Sequence, residues 1–221
     1  MFIVKRFRQC IITMVRLNPC SRLSTTWLLL SLVVCHSVYA ENTSNTITQH
    51  RITDDDAVAA FRWIAETKNG VRFTFAQRIP DQTRSFYLAR EFPLVAASRY
   101  ATACIFQVIL DNDSKDRVVK IDLADWRVIH NDKKKPIKLE SDWQKIWQKM
   151  NISQSGRIAF RWSQFPKIQK HKPGDWFQGM AAADLPPSTE FDLYIKWLEN
   201  DKSHDAIIHK LQCAADRNLG M

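Results

Sequence analysis

Much of the chain beyond residue 70 alternates apolar and polar residues with the two-residue period of β-strands. This alternation occurs at 71–75, 119–123, 158–162, 191–197 and 207–213. The run at 105–110 is mostly apolar instead, which predicts a strand buried on both faces. The last two alternating segments are joined by the polar stretch 199–203, and together they predict a β-hairpin.

Other segments have the three-to-four-residue spacing of helices. An acidic run at 54–56 follows Thr53, which predicts a capped helix with Phe61, Ile64 and Ala65 on one face. A second helical stretch is expected to open at Pro80 and to be interrupted at Pro93. A short third helix is predicted over 141–150, where Ser141 and Gln144 form a capping box before apolar residues at helical spacing: Trp143, Ile146, Trp147 and Met150.

These elements predict a mainly β fold, because several short strands with antiparallel turn signals occur without a repeating strand-helix-strand pattern. The expected architecture is an immunoglobulin-like antiparallel β-sandwich with N-terminal helices and one short helix inserted near 141–150. We expect a single exported domain over 53–215, since no linker divides it, and a tail over 216–221.

The first forty residues predict a signal peptide. They hold five basic and no acidic residues, then an apolar run at 27–34 and a small-residue cleavage site ending at Ala40. The apolar run is shorter than the ~20 residues that span a bilayer, so no transmembrane helix is expected after cleavage. The polar residues 41–52 are predicted to be a flexible lead-in. The expected location is periplasmic or secreted.

Cleavage changes the charge of the protein. Removing five of the 32 basic residues and none of the 23 acidic ones leaves 27 basic residues and a net charge of +4. A nucleic-acid binder usually concentrates its basic residues on one face. Here the one evident basic run, Lys133-Lys134-Lys135, is interpreted as a solvated turn, so nucleic-acid binding is not expected.

Cleavage also leaves two of the five cysteines, Cys104 and Cys213. An even pair in an oxidising compartment predicts a disulfide. A reactive or metal-binding thiol would need a neighbouring base or a second ligand at short spacing, and neither cysteine has one in sequence.

Catalytic and cofactor signatures are weak throughout. There is no Gly-x-Ser-x-Gly elbow, and no cofactor is predicted. The histidines do not share the spacing of ligands on one strand or helix. The one candidate metal pair is His171 with Met180, across the turn at Pro173-Gly174.

Tryptophan is abundant, and one segment stands out. Five tryptophans are predicted to be core: Trp63, Trp143, Trp147, Trp162 and Trp197. Residues 174–180 place Trp176, Phe177 and Met180 between two glycines. They form either an exposed loop that contacts a partner or a sugar, or an edge strand that packs into the core.

The sequence therefore favours a non-catalytic exported protein that binds or assists another component of the cell envelope, with another envelope protein as the expected partner. One alternative is a metal-handling (copper) or electron-transfer accessory protein that uses His171 and Met180. A second alternative is a carbohydrate-binding module that uses Trp176 and Phe177. The oligomeric state is not readable from the sequence.

Overall fold

A computed structural model describes residues 47–53 and 61–217 of the 221-residue chain. The predicted signal peptide, the acidic run 54–56 and residues 218–221 lie outside these ranges. The strands are β1 Thr48–Thr53, β2 Phe61–Glu66, β3 Val71–Gln77, β4 Ile105–Asn112, β5 Val119–Asp122, β6 Arg127–His130, β7 Lys133–Pro136, β8 Ile168–His171, β9 Trp176–Ala182, β10 Glu190–Glu199 and β11 Lys202–Gln212. The helices are α1 Pro80–Leu88, α2 Leu94–Ala101, α3 Glu140–Lys149 and α4 Gln154–Ser163.

The strands form two antiparallel sheets, which confirms the mainly β prediction. The first sheet has the order β1-β2-β3-β4-β9, and the second has the order β7-β6-β10-β5-β8 with β11 also paired to β10. The main core lies between the sheets, where the ring of Phe73 is 6.1 Å from that of Trp126 and 5.3 Å from that of Trp197. The predicted hairpin is β10 and β11.

One edge of the second sheet is built from two short strands placed end to end. β11 pairs with β10 over its whole length, so β5 and β6 share the other side of β10. β8 then pairs with β5, and β7 pairs with β6. Ile168, the first residue of β8, pairs with Asp122, and Pro136, the last residue of β7, pairs with Arg127. Asp122 and Arg127 are only five positions apart in the sequence. The chain leaving β7 and the chain entering β8 therefore converge on the same corner.

A helical layer covers one end of the outer face of the first sheet. Its core is aromatic, with Trp143 and Trp147 stacked 5.2 Å apart and packed with Tyr100 and Phe160. Met180 of β9 belongs to the same cluster. The predicted helix near 141–150 is confirmed as α3, and those at Pro80 and after Pro93 are α1 and α2.

The N-terminal helix prediction was wrong for the residues that the structure describes. Residues 61–66 form β2, whose register against β3 buries Trp63 and Ala65. The spacing of Phe61, Ile64 and Ala65 is compatible with a helix as well as with a strand. Pairing with the neighbouring strand β3 stabilises the strand conformation. Residues 41–52 were predicted to be a flexible lead-in, and this was wrong for residues 48–52. Together with Thr53 they form β1, which pairs with β2 on the side opposite β3.

The prediction of a strand at 158–162 was also wrong, because these residues lie in α4. The Ser153 hydroxyl caps this helix by accepting the Gly156 N–H at 3.1 Å. Only Phe160 of the three alternating apolar residues is buried, while Ile158 and Trp162 point outward. In α3 the cap also differs from the prediction, since the Asp142 carboxylate accepts the Leu139 N–H at 3.3 Å.

Candidate functional site

The two remaining cysteines form the predicted disulfide. Cys104 and Cys213 are bonded with their Cα atoms 4.9 Å apart, across a sequence separation of 109 residues. Both are buried in the main core. Cys104 has a left-handed backbone with φ of 56°, and its carbonyl accepts the Ala183 N–H at 3.0 Å. The bond ties the first sheet to the end of β11, so we assign it a structural role.

The candidate metal pair is not brought together. The His171 carbonyl accepts a hydrogen bond from the side chain of Asn112, in β4, at 3.2 Å. Met180 pairs instead with Gln107, which lies five residues earlier in β4. Those five positions on β4 separate the two sites by roughly 17 Å at ~3.4 Å per residue. Burial lowers the pKa of His171, and the Tyr87 hydroxyl donates to the Met180 sulfur at 3.5 Å. Residues 47–53 and 61–217 contain no group of three or more His, Cys, Asp or Glu side chains suited to hold a metal ion.

Residues 174–180 separate onto different faces because most of them belong to β9. Trp176 is 62% exposed on the outer face of the first sheet, opposite Asp111. Phe177 points inward and packs on Phe165 with ring centroids 5.8 Å apart. Met180 is buried under the helices. The edge-strand interpretation therefore holds for the segment, but its first aromatic residue stays in solvent.

Among the residues that the structure describes, the most exposed tryptophan is Trp162, which was predicted to be core. Trp162 is 83% exposed at the C-terminal end of α4, and Ile158, one turn earlier on the same face, is 41% exposed. Trp162 borders a groove of about 410 Å³ between the start of α3 and the chain entering β8. The groove is lined by Leu139, Glu140, Ser141, Arg161, Trp162, Gln164, Phe165, Pro166 and Lys167.

A buried polar network fixes the linker behind this groove. The Tyr100 hydroxyl donates to Gln164 Oε1 at 2.7 Å, and Gln164 Nε2 donates to the Tyr87 hydroxyl at 2.9 Å. Tyr87 is also within 2.7 Å of the Ser163 hydroxyl. Burial raises the pKa of Tyr87 to about 12 and raises that of Tyr100 well above its usual value. Both phenols are thus neutral hydrogen-bonding groups that hold the end of α4 in place.

The helices beside the groove are close enough to form one surface. Gln144 of α3 donates to the Arg157 carbonyl of α4 at 3.0 Å. Ser141 and Lys145 flank Gln144 and are both exposed. We call this surface the α3–α4 face and define it by its exposed residues: Ser141, Lys145, Ile158, Arg161, Trp162 and Lys167.

The chain segment that contains the α3–α4 face is strongly basic. Between residues 133 and 172 the chain has only two acidic residues, Glu140 and Asp142. Glu140 lies 3.8 Å from Arg161, and Asp142 lies 3.4 Å from Lys145. The basic residues of the segment are Lys133, Lys134, Lys135, Lys138, Lys145, Lys149, Arg157, Arg161, Lys167, Lys170 and Lys172.

This concentration of charge was missed because only consecutive lysines were read as a signal. Lys133, Lys134 and Lys135 form an exposed edge strand, not the expected turn. Lys170 and Lys172 lie at the other short edge strand, in line with the first. A count of charges over residues 133–172 would have shown the asymmetry, whereas their convergence depends on the sheet topology.

No helix within residues 47–53 and 61–217 is both long and apolar enough to cross a membrane. Comparisons with protein-family models, with curated proteins and with solved structures find no match to this chain.

Proposed function

We propose that this chain is an exported, non-catalytic binding or accessory protein of the cell envelope, and that it binds through the α3–α4 face. The exposure of Trp162 carries the proposal. Tryptophan is the largest apolar side chain, and here 83% of it lies in water beside a second apolar residue, Ile158. Exposed apolar patches rimmed by polar residues mark interaction sites.

The charge around Trp162 supports an anionic partner. Arg161 and Lys167 border the groove with it, and Lys145 lies one turn along α3 from Ser141. Glu140 and Asp142 pair with Arg161 and Lys145 themselves. Residues 133–172 hold eleven basic and two acidic residues, so these two pairs leave the segment with a net charge of +9 when histidine is neutral. Long-range attraction by such a surface speeds encounter with an opposite charge, and high salt weakens it.

Site-specific photo-crosslinking tests the proposal. Benzoylphenylalanine is placed at position 162 in the full chain, in a bacterial host that exports it, and at position 207 as the control. Ile207 is 41% exposed but lies on β11, away from the basic segment. We expect an adduct of one reproducible mass, protein or lipid, at 162 alone, and its loss in Lys145→Gln/Lys167→Gln. Equal labelling at both positions, or none at 162, contradicts the proposal.

Carbohydrate binding is a second candidate, favoured by the exposure of Trp176. Its cross-strand neighbour Asp111 pairs with Arg72 at 3.2 Å, so polar groups lie beside an exposed aromatic ring. Phe177 cannot extend this surface because it points into the core. The candidate predicts that Trp176→Ala abolishes retention on a polysaccharide column and that Trp162→Ala does not. Retention that is unchanged by Trp176→Ala rejects it.

The location and the exact sandwich type remain part of the proposal. The buried disulfide supports an oxidising compartment, such as the periplasm or the exterior. The immunoglobulin-like arrangement stays a prediction, and the proposed binding surface does not depend on it.

A further inference from the structure

The outward side of α4 combines apolar and basic residues in the pattern of a membrane-surface helix. Ile158 and Trp162 are one turn apart and exposed, and Arg161 lies beside them. Helices that lie in the membrane interface carry tryptophan and aliphatic residues on one side, with lysine and arginine around them. Tryptophan itself prefers the headgroup level, because its ring is apolar and its N–H is polar.

Basic residues surround this apolar pair on several elements. Lys145 of α3 and Lys167 after α4 are exposed members of the α3–α4 face. The lysines of β7 and β8 extend the positive charge along the adjoining sheet edge. Each lysine or arginine held near an anionic bilayer strengthens binding about five-fold.

This arrangement fits a bilayer better than a folded acidic protein. The charges are spread over two helices and two edge strands, and a bilayer matches them because its anionic headgroups move laterally. A strand-adding partner is disfavoured, since β7 presents three consecutive lysines, and charged edge strands resist pairing.

We propose that the α3–α4 face attaches this protein to the surface of an anionic phospholipid bilayer, with Trp162 and Ile158 entering the headgroup region and Lys145, Arg161 and Lys167 facing the phosphates. This inference rests on the proposed function and names the partner of the same surface.

Vesicle sedimentation tests the attachment. The exported protein is mixed with phosphatidylcholine vesicles in which about a third of the lipid is phosphatidylglycerol, or with phosphatidylcholine alone. We expect binding only to the anionic vesicles and its loss near 1 M salt, where the Debye length is about 3 Å. Lys145→Gln/Lys167→Gln should lower the partition coefficient about 25-fold, and Trp162→Ala should lower it about ten-fold.

Two control variants remove the same chemical groups elsewhere. Lys68→Gln/Lys202→Gln neutralises an exposed lysine in the turn before β3 and another at the start of β11, and Trp176→Ala removes a tryptophan that is also exposed. Both should bind within about two-fold of the unmodified protein. Equal thermal midpoints for all variants show that folding is unchanged.

The outcomes separate the two proposals. Absence of binding to anionic vesicles, equal binding to phosphatidylcholine, or equal losses in the controls overturns membrane attachment. If a protein adduct still forms at position 162 in cells, the proposed binding function stands with a protein partner. If vesicles do not bind and no adduct forms at position 162, both proposals fail.

Discussion

Replacing Gly179 by alanine is expected to destabilise the protein strongly, because β9 lies against the linker between α4 and β8 at this point. A Cβ atom at position 179 would lie 2.5 Å from the Phe165 Cα and 2.6 Å from the Gln164 carbonyl carbon. Ordinary contacts begin near 3.4 Å, so the linker must retreat by about 1 Å. That movement stretches the hydrogen bond from the Phe165 N–H to the Met180 carbonyl, now 2.8 Å long.

The magnitude follows from the two losses. Overpacking of a dense interior costs about 1–3 kcal/mol, and the hydrogen bond contributes about 1 kcal/mol. The sum is about 2–4 kcal/mol, which lowers the melting temperature of a chain of this size by roughly 4–16 °C. Urea unfolding followed by circular dichroism measures the free energy of unfolding directly.

Gly174→Ala is the matched control. No atom of the described residues lies within 4 Å of a Cβ at this position, but its φ of +82° is left-handed. The control should therefore cost only about 1–2 kcal/mol, the usual penalty of that conformation. If Gly179→Ala is no more destabilising than Gly174→Ala, the close approach of β9 to the linker is not a constraint on folding, and the reasoning is refuted.

Three further changes test the supports of the fold. Replacing Cys104 and Cys213 together by serine should lower the free energy of unfolding by up to about 4.7 kcal/mol, which is the chain-entropy value for a loop of about a hundred residues. An unchanged midpoint of urea unfolding would contradict a stabilising disulfide. Burial raises the pKa of Tyr87 to about 12, so its stabilising effect is present below pH ~10 and is lost as the pH rises towards 12, by roughly 1.4 kcal/mol per pH unit. The free energy of unfolding of Tyr87→Phe should therefore fall less steeply with pH between these values than that of the unmodified protein, and equal slopes would reject the idea. The buried Glu199 carboxylate accepts a hydrogen bond from the Trp197 indole N–H at 2.9 Å and forms an ion pair with Arg117. Glu199→Gln should therefore lower the free energy of unfolding by about 2 kcal/mol in thermal unfolding, and a loss below about 0.5 kcal/mol would contradict this role.

Elements were predicted correctly from the sequence where the spacing of apolar residues fits either a strand or a helix, but not both. The alternation at 191–197 and 207–213 predicted a hairpin, and Cys213 at its end lies in the core beside Cys104. The predicted inward face of β11 is wrong at Ile207, because a register shift in the hairpin buries Ile208 and leaves Ile207 41% exposed. In α3 the four-residue recurrence of Trp143 and Trp147 fits a helix alone. These predictions needed no knowledge of distant neighbours.

Short segments with two compatible periods were misread. Ile158, Phe160 and Trp162 alternate like a strand, but Ile158 and Trp162 also lie one helical turn apart. The local signal that could have decided was the N-cap Ser153, whose hydroxyl accepts the Gly156 N–H. The strand interpretation pointed Trp162 into the core, and the 83% exposure of this tryptophan was therefore not predicted.

The candidate site depends on topology that sequence patterns do not contain. β7 and β8 are separated by two helices in the chain, yet they share one edge of a sheet because β5 and β6 share one side of β10. Lys167, which leads into β8, lines the groove together with Arg161, and the lysines of β7 lie on the same sheet edge as β8. Nothing local to these residues encodes that pairing.

Hydroxyl-radical footprinting of Trp162 and Trp176 tests the central claim most directly, whatever the partner is. The full chain is oxidised in isolated envelopes of cells that export it and again as the free protein, and oxidation is measured at Trp162 and Trp176. Both indoles are exposed in the free protein, at 83% and 62%, so each controls for the other. The account predicts that Trp162 is protected in the envelope and Trp176 is not. Protection of Trp176 alone, or of neither residue, contradicts binding through the α3–α4 face.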